Sequence, residues 1–122
     1  MWAKGLLTCQ AAVELLIGHR LWLVRDDFLS YVECCRGFGG EAMAAIDWPA
    51  VWAAVEDGHL PCSRGEGQVL RVAVSIAEGV SVDVREVATC VDAANSVLVA
   101  RAVLAAGGHG GVAAVLAGVT GR

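Results

Sequence analysis

The sequence predicts an all-α fold, a compact single-domain bundle of five to six short helices that pack orthogonally. Three observations predict it. Ser63-Arg-Gly-Glu66 has the form of a capping box, and an amphipathic stripe follows it. Asp47 is a helix N-cap residue with Pro49 in the first turn, where the missing N–H group does no harm. The run Val97–Ala106 is apolar except for Arg101, which is typical of a helix buried at the centre of a bundle.

Length and composition predict a single domain and exclude several classes of protein. We expect one helical domain at residues 1–108 and a flexible Gly/Ala/Val tail at 109–122. An apolar content of 57% excludes intrinsic disorder. The longest apolar stretches, such as Val112–Val119, are shorter than the ~18 residues of a membrane-spanning helix. Because nucleic-acid affinity depends largely on Lys and Arg, the net charge of −4 argues against a general phosphate-binding surface.

The first half of the chain carries the weaker helix signals. Thr8 is a candidate N-cap for a first helix that runs to about Arg20. The segment Leu21–Val24 fits either a short strand or a continuation of that helix. An aspartate at position 26 or 27 then caps a second helix that reaches Cys35. After a glycine-rich break, Glu41–Ile46 is expected to form one helical turn or more.

The second half carries clear start and stop signals. The helix that begins at Asp47 is expected to end at Gly58, and the one that begins at Ser63 is expected to end at Gly79. Asp83 caps a short helix that runs to about Val91. Either Asp92 or Asn95 begins the last helix, which ends at Gly107-Gly108.

Two of these helices are predicted to form the core. The Ser63–Glu78 helix carries apolar residues at the spacing of one helical face, namely Val69, Val72, Ala73, Ile76 and Ala77. The Asn95–Ala106 helix is apolar nearly all round. We expect both at the centre of the bundle, with Trp48 and Trp52 packed across them.

Few residues suggest chemistry, and we expect no catalytic residues, no cofactor and no metal. The five cysteines have no regular spacing, which favours reduced thiols in a cytoplasmic protein. Adjacent Cys34 and Cys35 on a helix would point about 100° apart, so both cannot readily face one metal ion. His59 and Cys62 form the one pair that suggests a metal site or a reactive thiol, since Cys62 directly precedes a helix N-terminus that favours a thiolate.

The segment 63–108 resembles the winged helix-turn-helix of bacterial regulators in the order and length of its helices. The resemblance implies a DNA-binding regulator whose recognition helix reads bases with Asn95, Ser96 and Arg101. It departs from the pattern at the wing, because Ala and Val follow Gly107–Gly111 where a hairpin would be expected. DNA binding is therefore the alternative hypothesis.

The leading hypothesis is a small, non-enzymatic, cytoplasmic interaction or regulatory protein. A mean hydropathy of +0.60 predicts an exposed apolar surface, because a chain of this length leaves about a third of its extended surface exposed. We expect Leu21, Trp22 and Leu23 to form that surface, with Trp2 and the 112–119 segment as further candidates. The partner is expected to be a second copy in a homodimer, with a different protein as the other possibility. Abundant Arg, Ala, Val and Gly suggest a GC-rich bacterial genome.

Overall fold

The computed structural model describes residues 2–36 and 42–112, with side chains described for residues 7–33 and 45–112. The elements are, in chain order, α1 (Trp2–His19), a 3₁₀ turn (Trp22–Val24), α2 (Asp26–Leu29), β1 (Val32–Arg36), β2 (Ala42–Ile46), α3 (Trp48–Glu56), α4 (Arg64–Glu78), α5 (Val84–Cys90) and α6 (Ala93–Ala106). The predicted all-α fold class is therefore confirmed, with one small hairpin added to the helices. None of the helices in these residues is long and apolar enough to cross a membrane.

Helix α4 lies at the centre of the fold. Its capping box is formed, because the Ser63 hydroxyl accepts the Glu66 N–H at 3.2 Å and the Glu66 carboxylate accepts the Ser63 N–H at 2.9 Å. The helix ends at Gly79, as the sequence predicts. Of the predicted stripe, Val69, Val72 and Ala73 are buried, whereas Ile76 and Ala77 are half-buried. The helix also buries Gln68, Leu70 and Val74, which the stripe did not include. This helix has neighbours on several sides, and α1 and α3 supply most of them.

Helix α6 does not share that central position, and this part of the core prediction is wrong. Ala102 is its one buried residue, while Val103 is 56% exposed. The helix packs chiefly against α1, which itself lies beside α4 and buries Leu15 and Leu16. An all-round apolar helix is buried only if neighbours cover every face, and α6 has one main neighbour. Much of its apolar surface therefore stays open.

The Leu21–Leu23 segment is not the exposed apolar surface that the sequence predicts. Trp22 is fully buried, and Leu21 and Leu23 are half-buried against the core. The Trp22 indole N–H donates to the Glu66 carbonyl oxygen at 3.3 Å, and its ring lies 5.9 Å from that of Phe28. A large aromatic side chain that finds both a hydrogen-bond acceptor and ring contacts inside the fold is stabilised there and not at the surface.

A hairpin replaces two of the predicted helical segments. The helix that begins at Asp26 stops at Leu29, and β1 then pairs antiparallel with β2, with Val32 opposite Ile46 and Arg36 opposite Ala42. The Asp47 N–H also donates to the Tyr31 carbonyl oxygen at 2.9 Å. Short helical segments are weak in isolation, so pairing between segments decides their structure.

The remaining helix starts follow the predicted caps with two exceptions. Asp47, Asp83 and Asp92 each cap the helix that follows, with their carboxylates accepting backbone N–H groups. Thr8 lies inside α1 and does not begin it, so that prediction is wrong. The prediction of an aspartate cap on α2 is also wrong, because its N-cap residue is Arg25 and the aspartates at 26 and 27 lie in its first turn. Residues 110–112 have helical backbone, and the rest of the predicted tail, 113–122, lies outside the described residues, as does the side chain of Trp2.

Candidate functional site

A groove runs between α1 and α6, and we call it the α1–α6 groove. Its main part is a cavity of about 400 Å³. A smaller cavity of about 230 Å³ continues it along the same two helices. Both cavities are lined by Ala11, Glu14 and Ala105, so they form one continuous site.

The two walls of the groove have the same residue spacing. Helix α1 contributes Ala11, Glu14, Leu15 and Gly18 to the main cavity, and α6 contributes Leu98, Arg101, Ala102 and Ala105. Each set follows the i, i+3, i+4, i+7 pattern that places side chains on one face of a helix. Sequence analysis missed this site, although the repeated spacing is visible in the sequence once the two helices are known to be neighbours.

Small residues set the shape of the groove. A Cβ atom added at Gly18 would lie 3.0 Å from a methyl carbon of Leu98, so glycine at this position allows α6 to approach α1 closely. Alanines at 11, 102 and 105 leave space further along. The floor is therefore apolar and shallow, and it can accept a protruding side chain.

Exposed aliphatic side chains lie on the α1 rim of the groove. Ile17 lines the main cavity and is 56% exposed, and Leu7 lines the smaller cavity and is 41% exposed. They lie about 15 Å apart along α1, toward opposite ends of the groove. Exposed apolar side chains beside an apolar recess are typical of a binding surface.

Two charged side chains lie in the groove without a charged partner. In the part of the chain with described side chains, the ion pairs are Arg25–Asp27 and Arg71–Glu56, and neither includes Glu14 or Arg101. The Nε atom of Arg101 is buried and has no hydrogen-bond partner within those residues. A buried N–H group without an acceptor costs about 1–3 kcal/mol, and more for a charged group.

The residues predicted to contact DNA are not brought together. Asn95, Ser96 and Arg101 point between about 100° and about 140° apart around α6, because an α-helix has 3.6 residues per turn. The Ser96 hydroxyl donates to the Val91 carbonyl oxygen at 3.4 Å, and Arg101 lies in the α1–α6 groove. These three side chains therefore share no exposed face that could enter a DNA groove.

His59 and Cys62 also lack the environment of a reactive pair. Both residues are exposed, but the Cys62 sulfur lies against α4, where a Cβ at Gly67 would be 3.2 Å from it. This partial burial, together with the Glu66 carboxylate, raises the pKa of the Cys62 thiol against the opposing effect of two arginines. The thiolate form is thus disfavoured, whereas the position before a helix N-terminus had predicted that it would be favoured.

No described group of three or more His, Cys, Asp or Glu side chains is placed to hold a metal ion. The free cysteines among the described side chains are Cys9, Cys62 and Cys90. Cys34 and Cys35 lie on β1, and their side chains are outside the described set.

A second, polar cavity of about 300 Å³ lies where helix ends meet. His19 at the end of α1 lines it together with Glu66, Cys90 and Asp92. The Nδ1 atom of His19 is buried without a hydrogen-bond partner within the described residues. Burial lowers the pKa of this imidazole, and the nearby carboxylates of Glu66 and Asp92 oppose the shift. Both carboxylates already cap helices, so this cavity has a structural explanation in helix capping.

Comparison with known proteins adds no information about function, because no family model, no curated protein and no solved structure matches this chain.

Proposed function

We propose that the protein is a non-enzymatic interaction protein with a regulatory role, and that it binds a protein partner through the α1–α6 groove. The observation that carries this proposal is the apolar groove between α1 and α6, with the exposed Ile17 on its rim and the Arg101 guanidinium, which forms no ion pair with the described side chains, within it. A bound chain would cover the apolar surface and bring an acidic side chain to the Arg101 guanidinium. Each of these changes lowers the free energy of the complex.

The proposed partner is a second copy of the same chain. Closed two-fold dimers are the commonest assemblies of soluble proteins, and they need only one self-complementary surface. We place this homodimer in the cytoplasm of a bacterium. The free thiols of Cys9, Cys62 and Cys90 support a reducing compartment, and the Arg-rich, Ala-rich composition supports a bacterial source.

The molar mass in solution tests the proposal. Light scattering coupled to size-exclusion chromatography at micromolar concentration should give twice the monomer mass of 12.6 kDa. The Ile17→Ser variant should shift the equilibrium toward monomer, because it removes exposed apolar surface from the groove rim. Val84→Ser is the matched control, since Val84 is 73% exposed on α5 and does not line the groove. A wild-type monomer at all concentrations would contradict the homodimer.

A further inference from the structure

The α1–α6 groove carries one acidic and one basic side chain, on opposite walls and near its middle. Glu14 lies on α1 and Arg101 on α6. Gly18 and Leu98 line one end of the main cavity, while Ala11 and Ala105 continue into the smaller cavity. Glu14 and Arg101 thus lie between the two ends, and neither forms an ion pair within the described side chains.

This inference rests on the proposed homodimer and specifies its geometry. We infer that two copies bind groove to groove about a two-fold axis near the middle of the groove, so that Glu14 of each copy pairs with Arg101 of the other. In a two-fold interface, a contact from residue i to residue j is always accompanied by the contact from j to i. Glu14 and Arg101 lie on the same face of each copy, so a two-fold dimer would contain two identical ion pairs, each from Glu14 of one copy to Arg101 of the other.

The partial burial of Arg101 favours this pairing. Its Nε is shielded from water within one copy, and its guanidinium group forms no ion pair with the described side chains. The carboxylate of the second copy binds the terminal guanidinium nitrogens, and a charge-assisted hydrogen bond is stronger than a neutral one. Because the side chain is already partly desolvated in one copy, association removes less water from it.

The apolar parts of the groove fit the same symmetry. Ile17 protrudes from the α1 rim with 56% of its surface exposed. The floor further along the groove includes Ala11, Ala102 and Ala105, whose small side chains leave room for an aliphatic side chain. Each copy thus carries both a protruding side chain and a shallow apolar recess, as a self-complementary surface requires. A partner of different sequence would need to supply both charges independently.

Charge reversal tests this geometry. The Glu14→Arg variant places two arginines opposite each other in both symmetry-related contacts, and Arg101→Glu does the same with two glutamates. Each single variant should raise the dimer dissociation constant by about tenfold or more, because like charges at an interface are strongly unfavourable. An equimolar mixture of the two variants should form a heterodimer, since both contacts then join opposite charges. The double variant E14R/R101E should also recover the dimer.

The outcomes separate this inference from the proposed function. A wild-type dimer that neither reversal weakens would overturn the Glu14–Arg101 pairing and leave the homodimer intact. A wild-type monomer would overturn both. Failure of the mixture to associate would also overturn the pairing, provided that circular dichroism shows both variants folded. If Arg101→Glu does not fold, Glu14→Arg mixed with Arg101→Gln gives the same comparison with a neutral partner, where recovery should be partial.

Discussion

Helices α4 and α6 look equally central in the sequence but occupy different environments in the fold. Helix α4 has a clear polar face and an apolar face, and it carries six buried residues. Helix α6 is apolar nearly all round, yet Ala102 alone is buried. The comparison teaches that an apolar helix without a polar face is not necessarily at the centre. Among the described elements, α1 is the main neighbour of α6.

The polar side chains of α4 explain its position. Arg71 forms an ion pair with Glu56 at 2.6 Å, and Gln68 donates to Glu86 at 2.9 Å. These contacts tie α4 to α3 and α5, so its neighbours are fixed on several sides. In α6 the one charged residue, Arg101, makes no such contact among the described side chains. The buried helix α4 thus has polar side chains that bind its neighbours, whereas the more exposed helix α6 has no such contact through Arg101 among the described side chains.

The largest expected effect compares one leucine from each helix. Leu70 on α4 is fully buried, so Leu70→Ala should lower the free energy of unfolding by about 2–5 kcal/mol. Leu98 on α6 is half-buried, so Leu98→Ala should cost less than half as much. Urea denaturation at one fixed protein concentration measures both, because self-association adds to apparent stability. Equal losses would show that α6 lies as deep in the core as α4.

A second test uses two glycines in the first turns of α4. A Cβ added at Gly65 would lie 2.8 Å from the Cys90 carbonyl oxygen, where the backbone of α5 ends and cannot easily move. Gly65→Ala should therefore cost about 1–3 kcal/mol through overpacking. Gly67→Ala is the matched control, because its Cβ would meet only the Cys62 side chain at 3.2 Å.

The control variant Gly67→Ala should be more stable than the wild type, whereas Gly65→Ala should be less stable. Alanine is favoured over glycine inside a helix by about 1 kcal/mol, and the Cys62 side chain can move aside. Thermal denaturation of the two variants side by side gives the comparison. If Gly65→Ala were as stable as Gly67→Ala, the close contact between α4 and the end of α5 would not exist in solution.

The sequence predicted the parts of the fold that depend on local interactions. The capping box at Ser63 and the cap at Asp47 were found because each needs only residues within one helical turn. The end of α4 at Gly79 follows from the conformational preference of a single residue. Such signals do not depend on which elements become neighbours.

The parts that depend on distant neighbours were not predictable in this way. The strand that begins at Val32 forms because it pairs with the segment that ends at Ile46, and nothing local to either segment requires a strand. Trp22 is buried among core side chains from several elements, and its indole N–H donates to the carbonyl oxygen of Glu66, far along the chain. The α1–α6 groove likewise depends on two distant helices, which approach closely where Gly18 meets Leu98. From hydropathy alone, the exposed apolar surface was predicted at Leu21–Leu23, whose side chains are buried or half-buried in the fold.

The helix caps give a third and smaller effect that should be similar in the two helices. The Ser63 hydroxyl accepts the Glu66 N–H at the start of α4, and the Asp92 carboxylate accepts the Asn95 N–H at the start of α6. Replacement of either by alanine should lower the free energy of unfolding by about 1 kcal/mol. Chemical denaturation measures both losses. A much larger loss for Ser63→Ala would show that a cap contributes more to stability when its helix lies at the centre of the fold.

The smallest expected effect is a pH dependence at the point where α1, α4 and α6 meet. Burial lowers the pKa of His19 below its ordinary value of about 6.5, against the opposing carboxylates of Glu66 and Asp92. The folded state then binds fewer protons than the unfolded state between these two pKa values. Stability should therefore fall as pH decreases from about 6.5 toward the lower folded-state pKa, and it should be constant above this window.

Replacement of His19 separates this effect from the titration of carboxylates. His19→Gln should remove the decrease in stability just below pH ~6.5, because it removes the titrating imidazole from this buried position. His59→Gln is the matched control for the substitution itself, because His59 is exposed and does not line this cavity. Denaturation midpoints across this pH range, together with direct NMR titration of the imidazole, give the measurement. A His19 pKa above its ordinary value of about 6.5 would mean that the two carboxylates outweigh burial, and stability would then rise as the pH falls through this value.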